Sequence, residues 1–272
     1  MLLYVNPQSR HGKRFAGAAR SGLERRAIEI ATPPHAHGKV DAVVIAGGDG
    51  TLARHLPSAL RLDVPVGLIP LGTFNELART LGIPTEVDAA CETIASGRTR
   101  SIDVASVNGA YYVNEASVGL SSRLTRLQRP GDKQRFGFLA IAASALAAFR
   151  YLGPFRVEFG YRGDHVSLRT FQLTVANSNR FGGFISADDA AIDDGELDLY
   201  AVEGEGLLPI WGVTRAILHH RVDSSGGLRA YRAPRFMVVT RRPHRITADG
   251  EPAGRTPAEF TVHAGVLRVF VP

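Results

Sequence analysis

The sequence predicts a chain in two parts, a parallel α/β domain followed by a mostly antiparallel β-sandwich. Three observations lead there. Over roughly the first hundred residues, short apolar runs alternate with helical patterns, the texture of strand–helix–strand units. The run Ala42 to Ile45 is apolar without alternation, as a strand buried on both faces of a parallel sheet must be. From Ile102 onward the texture changes to short β-rich segments separated by turn residues. The boundary falls near Asp103, giving domains 1–103 and 104–272, with a return of the extreme C-terminus to the first domain left open.

The elements follow in order. Leu2 to Val5 reads as a strand ending on the turn signal Asn6-Pro7. Lys13 to Arg25 is alanine-rich and helical, and Ala27 to Ile30 reads as a second strand. Ala42 to Ile45 is the third, Thr51 to Leu60 a helix, and Val64 to Ile69 a further strand. Helices follow over Asn75 to Leu81 and Glu86 to Ser96. The connector "ATPPHAHGKVD" is awkward, because a parallel crossover normally carries a helix and two prolines oppose one there. In the second part, "SIDVASV", "AYYVNEASV", "FRVEFGY", "VSLRTFQLTVAN", "ELDLYAV", "RFMVVT", "HRITAD", "EFTVHA" and "LRVFVP" read as strands. Helical inserts are predicted around Gln134 to Leu152 and over Leu207 to His220.

Composition narrows the function classes. The 272 residues are 44% hydrophobic and 21% charged, which suits a soluble globular protein rather than a disordered or fibrous one. One cysteine, Cys91, excludes an intramolecular disulfide and fits a reducing compartment. The opening "MLLYVNPQSR" is too short in its apolar run for a signal peptide. The most apolar window, Phe136 to Phe149, falls short of a membrane span. The expectation is a cytoplasmic protein without a transmembrane segment, at most peripheral at the membrane. A net charge of +6 suits anionic partners. Nucleic acid is disfavoured, since no zinc-finger spacing, RNA-binding aromatic signature or basic heptad region occurs.

Three glycine-containing loops follow predicted strands, and α/β folds place ligands at that sheet edge. In "GGDGT", Gly47 to Thr51, glycines let a phosphate chain approach backbone N–H groups, and a helix N-terminus favours anions. Asp49 makes sense beside phosphate if a magnesium ion bridges the two. An ordinary glycine turn with a capping aspartate is the alternative. "NPQSRHGK" offers Ser9, backbone N–H groups and Lys13. "PLGTFNELARTLGIP" supplies the third loop. Arg123, Arg126 and Arg129, with Lys133 and Arg135, form a basic stripe that either docks on an anionic bilayer or is a solvated face. The histidine pairs His35/His37 and His219/His220 lack a metal-ligand constellation.

Together "NPQS", "GGDGT", "PLGTFNELARTLGIP", "IDVASVNGAYYVNEASVG", "AIDDGELDL" and "DGEP" resemble the bacterial diacylglycerol kinase and sphingosine kinase-like lipid kinases. The matches run in family order along essentially the whole chain. The resemblance implies a Rossmann-like, NAD kinase-like first domain and a β-sandwich second domain. It implies ATP contacts on Asn6, Ser9, Arg10, Thr32, Gly48, Asp49, Gly50, Thr51 and Thr73, and the loop residues Lys13, Gly47, Gly72 and Asn75 are expected to bind the nucleotide with them. It also implies a structural Mg²⁺ site with the Asp194 carboxylate and carbonyls of Ala191 and Glu196. A hydroxyl attacking a γ-phosphoryl group must pass its proton to a positioned carboxylate. In "DGE", Glu251 is the favoured acceptor, with Asp249 orienting it or helping to hold Mg²⁺. The sequence departs from the family in carrying Arg10 for glycine, "LARHL" after GGDGT, Glu76 for aspartate and Asp188 for proline.

The expected activity is ATP- and Mg²⁺-dependent phosphorylation of the hydroxyl of a diacylglycerol-like lipid at a membrane surface. A kinase of a water-soluble metabolite and a non-catalytic nucleotide- or lipid-binding protein are the alternatives. Oligomeric state is not legible.

Overall fold

In a computed structural model of the chain, the described residues are 1–5, 12–31, 40–119, 153–178, 180–181, 185–186, 191–203 and 228–272. For 12–14, 180–181, 185–186 and 203 the description covers the backbone alone. The predicted helices at Gln134 to Leu152 and Leu207 to His220, the 123–135 basic stripe, Asp188 and both histidine pairs lie outside these residues.

In chain order the elements are β1 (Leu2–Val5), α1 (Gly12–Glu24), β2 (Val43–Gly47), α2 (Asp49–Leu62), β3 (Val66–Pro70), α3 (Glu76–Thr80), α4 (Val87–Ala95) and β4 (Thr99–Val107). Then come β5 (Ala110–Tyr112), β6 (Glu115–Gly119), β7 (Phe155–Tyr161), β8 (Asp164–Ala176), β9 (Arg180–Phe181) and β10 (Ile185–Ser186). The last are β11 (Leu197–Glu203), β12 (Leu228–Ala233), β13 (Arg235–Thr240), β14 (Arg245–Ala248), β15 (Glu251–Arg255) and β16 (Ala258–Phe270). Two compact units result, one of Met1–Val104, Ile192–Gly195 and His263–Pro272, the other of Ala105–Ala191 and Glu196–Val262. Strands β4 and β16 each run from one unit into the other.

The first unit is a parallel sheet in the order β1-β2-β3-β16. Every residue of β2 and β3 is buried, as the unbroken apolar runs predict. Leu3, Val44, Ala46 and Ile69 pack on one face against Ala19 and Leu23 of α1 and Ala90, Cys91 and Ile94 of α4. Gly67 lets α4 come close, since a Cβ there would fall 2.8 Å from Ile94. On α2 the buried residues are Thr51, Leu52, Leu56 and Ala59. Arg26 ties α1 to α4, bonding Glu92 at 2.7 Å and Asp88 at 3.1 Å.

The predicted strand over Ala27 to Ile30 does not form. Residues 25–27 close α1 in a turn, Ala27 sits at φ 58°, and only Ala31 bridges to Leu2. That removes the awkward lean crossover: β1 pairs directly with β2, and α1 lies in the connection between them.

The second unit is antiparallel, built on the long strand β8. Its first half pairs with β7 and its second half with β6, while β11 takes the other edge. The partner change occurs at Gly119, whose φ of 111° and 2.5 Å approach of a built Cβ to the Phe171 carbonyl require glycine. Beyond, β7 pairs β13, β13 pairs β16, β6 pairs β14, and β11 pairs β12. Tyr112, Phe159, Leu173, Leu199, Phe236 and Phe260 fill the core. Both parts of the predicted fold class are therefore present. No helix among the described residues is long and apolar enough to cross a membrane.

Candidate functional site

Strands β2 and β3 end level with each other, Gly47 pairing with Pro70. After β2, Gly48 is the N-cap of α2, and its carbonyl accepts the N–H groups of Thr51 at 2.9 Å and Leu52 at 3.1 Å. The GGDGT motif is thus the end of a strand and the first turn of a helix, whose leading amides have no helical carbonyl four residues before them. The glycines have a local cause. A Cβ on Gly72 would fall 2.5 Å from the Gly48 Cα, and one on Gly48 would fall 2.9 Å from the Gly72 Cα. The two loops touch backbone to backbone there. A Cβ on Gly50 would meet nothing within 4 Å, so no protein contact demands glycine at that position.

Side chains then lock the loops. Asn75, in left-handed conformation at φ 49°, clasps the Gly72 residue: its Oδ1 accepts the Gly72 N–H at 2.9 Å and its Nδ2 donates to the Gly72 carbonyl at 3.0 Å. Asp49 Oδ1 accepts the Glu76 N–H at 2.8 Å, capping α3 from another loop. Burial pushes the Asp49 carboxyl above the ordinary aspartate value, against the pull of the Glu76 and Asn75 amides, its own N–H and the Arg79 charge. Beside it lies a cavity of about 20 Å³ lined by Ile45, Asp49, Leu52, Leu68 and Leu77, room for about one water.

The structure thus brings together Gly47, Gly48, Asp49, Gly50, Thr51, Gly72, Thr73 and Asn75. Asn6, Ser9, Arg10 and Thr32 lie outside the described residues, and Lys13 is placed only as backbone in α1. Arg79, exposed on α3 and within electrostatic reach of Asp49, was not among the residues singled out in the sequence. Its signal was present in "NELAR", a basic residue in the last turn of the helix that Asp49 caps.

The acidic turn is organised by another residue the sequence reading passed over. Buried Asp103 accepts the Gly195 N–H on Oδ2 and the Gly265 N–H on Oδ1, each at 2.7 Å. A lone aspartate inside the apolar strand "SIDVASV" was the available sign. Asp193 bonds Arg100 at 2.6 Å, and in the second unit Glu196 bonds Arg232 at 2.9 Å and Arg162 at 3.0 Å. Both of those carboxylates are engaged by arginines; the donors expected for a metal are the Asp194 carboxylate and the main-chain carbonyls of Ala191 and Glu196. Oxygen donors of this kind suit a hard divalent cation. Among the described residues no three acidic, histidine or cysteine side chains gather into a metal-holding group.

In the second unit, Asp249-Gly250 of "DGE" is the two-residue turn of the β14–β15 hairpin, Ala248 pairing with Glu251. Asp249 at φ 45° and Gly250 at φ 83° provide the positive φ values such a tight hairpin needs. The Asp249 carboxylate accepts three amides in a row: Val113 at 2.9 Å, Asn114 at 3.0 Å and Glu115 at 3.1 Å. Its own N–H donates to the Glu115 carbonyl at 2.9 Å. This clamp holds the break between β5 and β6, which splits the predicted strand "AYYVNEASV" in two. Nearby, burial and the charges of Asp249 and Glu115 push the Tyr112 phenol well above its usual value. Glu251 is exposed at the start of β15.

Residues 1–107 match the family model of the diacylglycerol kinase catalytic domain, and residues 115–271 that of the YegS C-terminal NAD kinase beta sandwich-like domain. A diacylglycerol kinase of Bacillus subtilis is 30% identical over 268 residues, covering 97% of this chain and 86% of that protein. A probable lipid kinase YegS of Salmonella arizonae is 30% identical over 241 residues, covering 86% of this chain and 79% of its own length. A crystal structure of a putative diacylglycerol kinase from Bacillus anthracis superposes with a TM-score of 0.81 at 23% identity, covering 100% of this chain and 94% of that one.

Proposed function

The chain belongs to the diacylglycerol kinase and YegS-like lipid kinase family, and we propose that it transfers the γ-phosphoryl group of ATP to the free hydroxyl of a diacylglycerol-like lipid. The observation that carries the reading is the locked pair of loops after β2 and β3. It presents the first-turn amides of a 14-residue helix, α2, beside the Gly72–Asn75 loop. Backbone amides at a helix N-terminus favour phosphate oxygens, and their orientation is set before the ligand arrives. Gly50, with open space where a Cβ would stand, leaves room for a phosphate chain to lie against the backbone.

The division of labour follows from the contacts. In the first unit, the GGDGT turn, Thr73 and the 72–75 loop hold the phosphates, and the exposed Arg79 adds positive charge. In the second, Asp249 is committed to three amides, so its task is to fix the hairpin turn. Glu251, exposed two residues on, takes the proton. The lipid oxygen then forms its bond to the γ-phosphorus as the bond to the bridging oxygen breaks, and ADP leaves. Mg²⁺ on the nucleotide would neutralise charge developing on the phosphoryl oxygens. Asp194, with the carbonyls of Ala191 and Glu196, is the donor set proposed for the structural ion.

The test is radiolabelled ATP with Mg²⁺ and a panel of lipids dispersed in detergent, alongside a panel of soluble alcohols. Label appearing in a phosphorylated diacylglycerol supports the reading. Label appearing only in a soluble product overturns the lipid assignment.

A further inference from the structure

An Asp-Gly pair makes a two-residue hairpin turn without outside help, because both residues tolerate positive φ. The turn at Asp249 and Gly250 is nevertheless held from several sides. Val113, Asn114 and Glu115 donate their amides to the Asp249 carboxylate, and the Asp249 N–H returns to the Glu115 carbonyl at 2.9 Å. Val113 and Asn114 lie in the gap between β5 and β6 and belong to no strand. Something must fix these donors in turn, since the amides of an unpaired segment otherwise turn to water.

Asn177 does this. Strand β8 pairs as far as Ala176, which faces Glu115 on β6 and Asp198 on β11. One residue on, the Asn177 N–H donates to the Asn114 carbonyl at 2.8 Å, and its Nδ2 donates to the Val113 carbonyl at 3.1 Å. The side-chain amide thus supplies a donor where the strand ladder stops. Val113 and Asn114 are gripped on both sides, their carbonyls by Asn177 and their N–H groups by Asp249. Asn177 and Asn114 are 2% and 3% exposed, so water has little access to these bonds. Beside them Tyr112 is fully buried in the core. An unbroken run of hydrogen bonds therefore leads from the end of β8, through residues 113–115, to Asp249 and the turn that precedes Glu251.

We infer that Asn177 is a positioning residue for Glu251, acting through the 113–115 amides and Asp249. The inference rests on the reading that Glu251 takes the hydroxyl proton. A general base works only within hydrogen-bond reach of its proton, and a displacement of about 1 Å can cost roughly 100-fold in rate. An exposed glutamate on a free hairpin tip moves further than the ~0.5 Å tolerance of a working site. A turn tied to two buried asparagines does not. The carboxamide is the chemistry this tie requires. Alanine at 177 would leave the Val113 carbonyl without its donor, and aspartate would set a second acceptor against it.

Two variants of the full chain test this, Asn177→Ala and the equally sized Asn177→Asp, each made also in the Glu251→Gln background. Amide exchange resolved to single residues comes first, on wild type. Val113, Asn114, Glu115, Asn177 and Asp249 should share one opening equilibrium. Widely different protection among them overturns the inference, even where both variants fail to fold. In the variants, exchange at 113–115 should quicken by about 5–10-fold, the worth of one lost hydrogen bond, with the interior of β8 unchanged. In the lipid assay kcat should fall by about 10–100-fold, while KM for ATP, read by loops of the first unit, stays within about twofold. With Glu251→Gln already present, either change should cost less than about twofold more, because the base it positions is gone. An equal fractional loss in both backgrounds, which a purely structural role would give, overturns the inference. So does unchanged exchange at 113–115, or unchanged kcat in a variant whose exchange has quickened. Should wild type phosphorylate no lipid, or Glu251→Gln alone leave kcat unchanged, the reading of Glu251 as base falls instead. Quickened exchange at 113–115 then upholds the tie to the turn, and unchanged exchange overturns it.

Discussion

Asp249 and Glu251 are two residues apart and differ in what surrounds them. Three amides at 2.9–3.1 Å surround the first, and the second is exposed. Asp249→Asn replaces one acceptor oxygen by a donor that faces N–H groups. It should cost about 2–4 kcal/mol in urea unfolding. Glu251→Gln should leave stability within about 0.5 kcal/mol and lower kcat by at least about 100-fold, the usual worth of a general base. Equal stability losses in the two variants would contradict the assignment. Asp49 separates charge from scaffold in another way. Asp49→Asn keeps an oxygen for the Glu76 N–H but removes the charge. Since burial raises the Asp49 carboxyl in the folded state, its stabilising contribution is complete below the ordinary aspartate pKa. It is lost as pH rises through the higher folded value. The asparagine variant should therefore gain stability relative to wild type between about pH 4 and neutrality, measured by urea midpoints. A difference that does not change with pH would show that the Asp49 carboxylate does not titrate differently on folding.

At the scale of the element, the loops after β2 and β3 act as one piece because Gly48 and Gly72 touch. Gly72→Ala puts a methyl against the Gly48 backbone, which cannot yield as a flexible side chain could. About 1–3 kcal/mol should be lost, and nucleotide affinity with it. Gly50→Ala meets no protein atom and lies in the first turn of α2. It should hold or raise stability by up to about 1 kcal/mol. If phosphates approach that backbone, the same change should weaken ATP binding by calorimetry. Unchanged ATP affinity in Gly50→Ala would place the phosphates elsewhere. Much of this was legible in the order of residues. An apolar run, then glycines, then a helical pattern locates a strand, a turn and a helix start. What the run could not reveal is that the glycines serve contact between two loops more than twenty residues apart in the chain.

At the scale of the molecule, the first unit is completed by the last residues of the chain, with Val269 pairing with Val66 and Leu267 buried. Fragment 1–104 should show no cooperative unfolding transition, and Leu267→Ala in the full chain should cost about 2–5 kcal/mol. A cooperative transition in the fragment would mean β3 tolerates an open edge. The α/β beginning, the β-rich remainder and the loops that end apolar strands were all legible in the order of residues, because side-chain burial repeats along the chain. Ala27 to Ile30 misled, since apolar residues suggested a strand there and the closing turn of α1 prevailed. That Asp249 belongs to a clamp of amides emerged only on folding. Only then did Asp103 join two distant glycines, and did Asn177 come to hold the residues that clasp Asp249. Each of those depends on strand register and on hydrogen bonds between residues far apart in sequence. Local composition carries no record of such partners, since a carboxylate's role is set by the donors that folding brings to it.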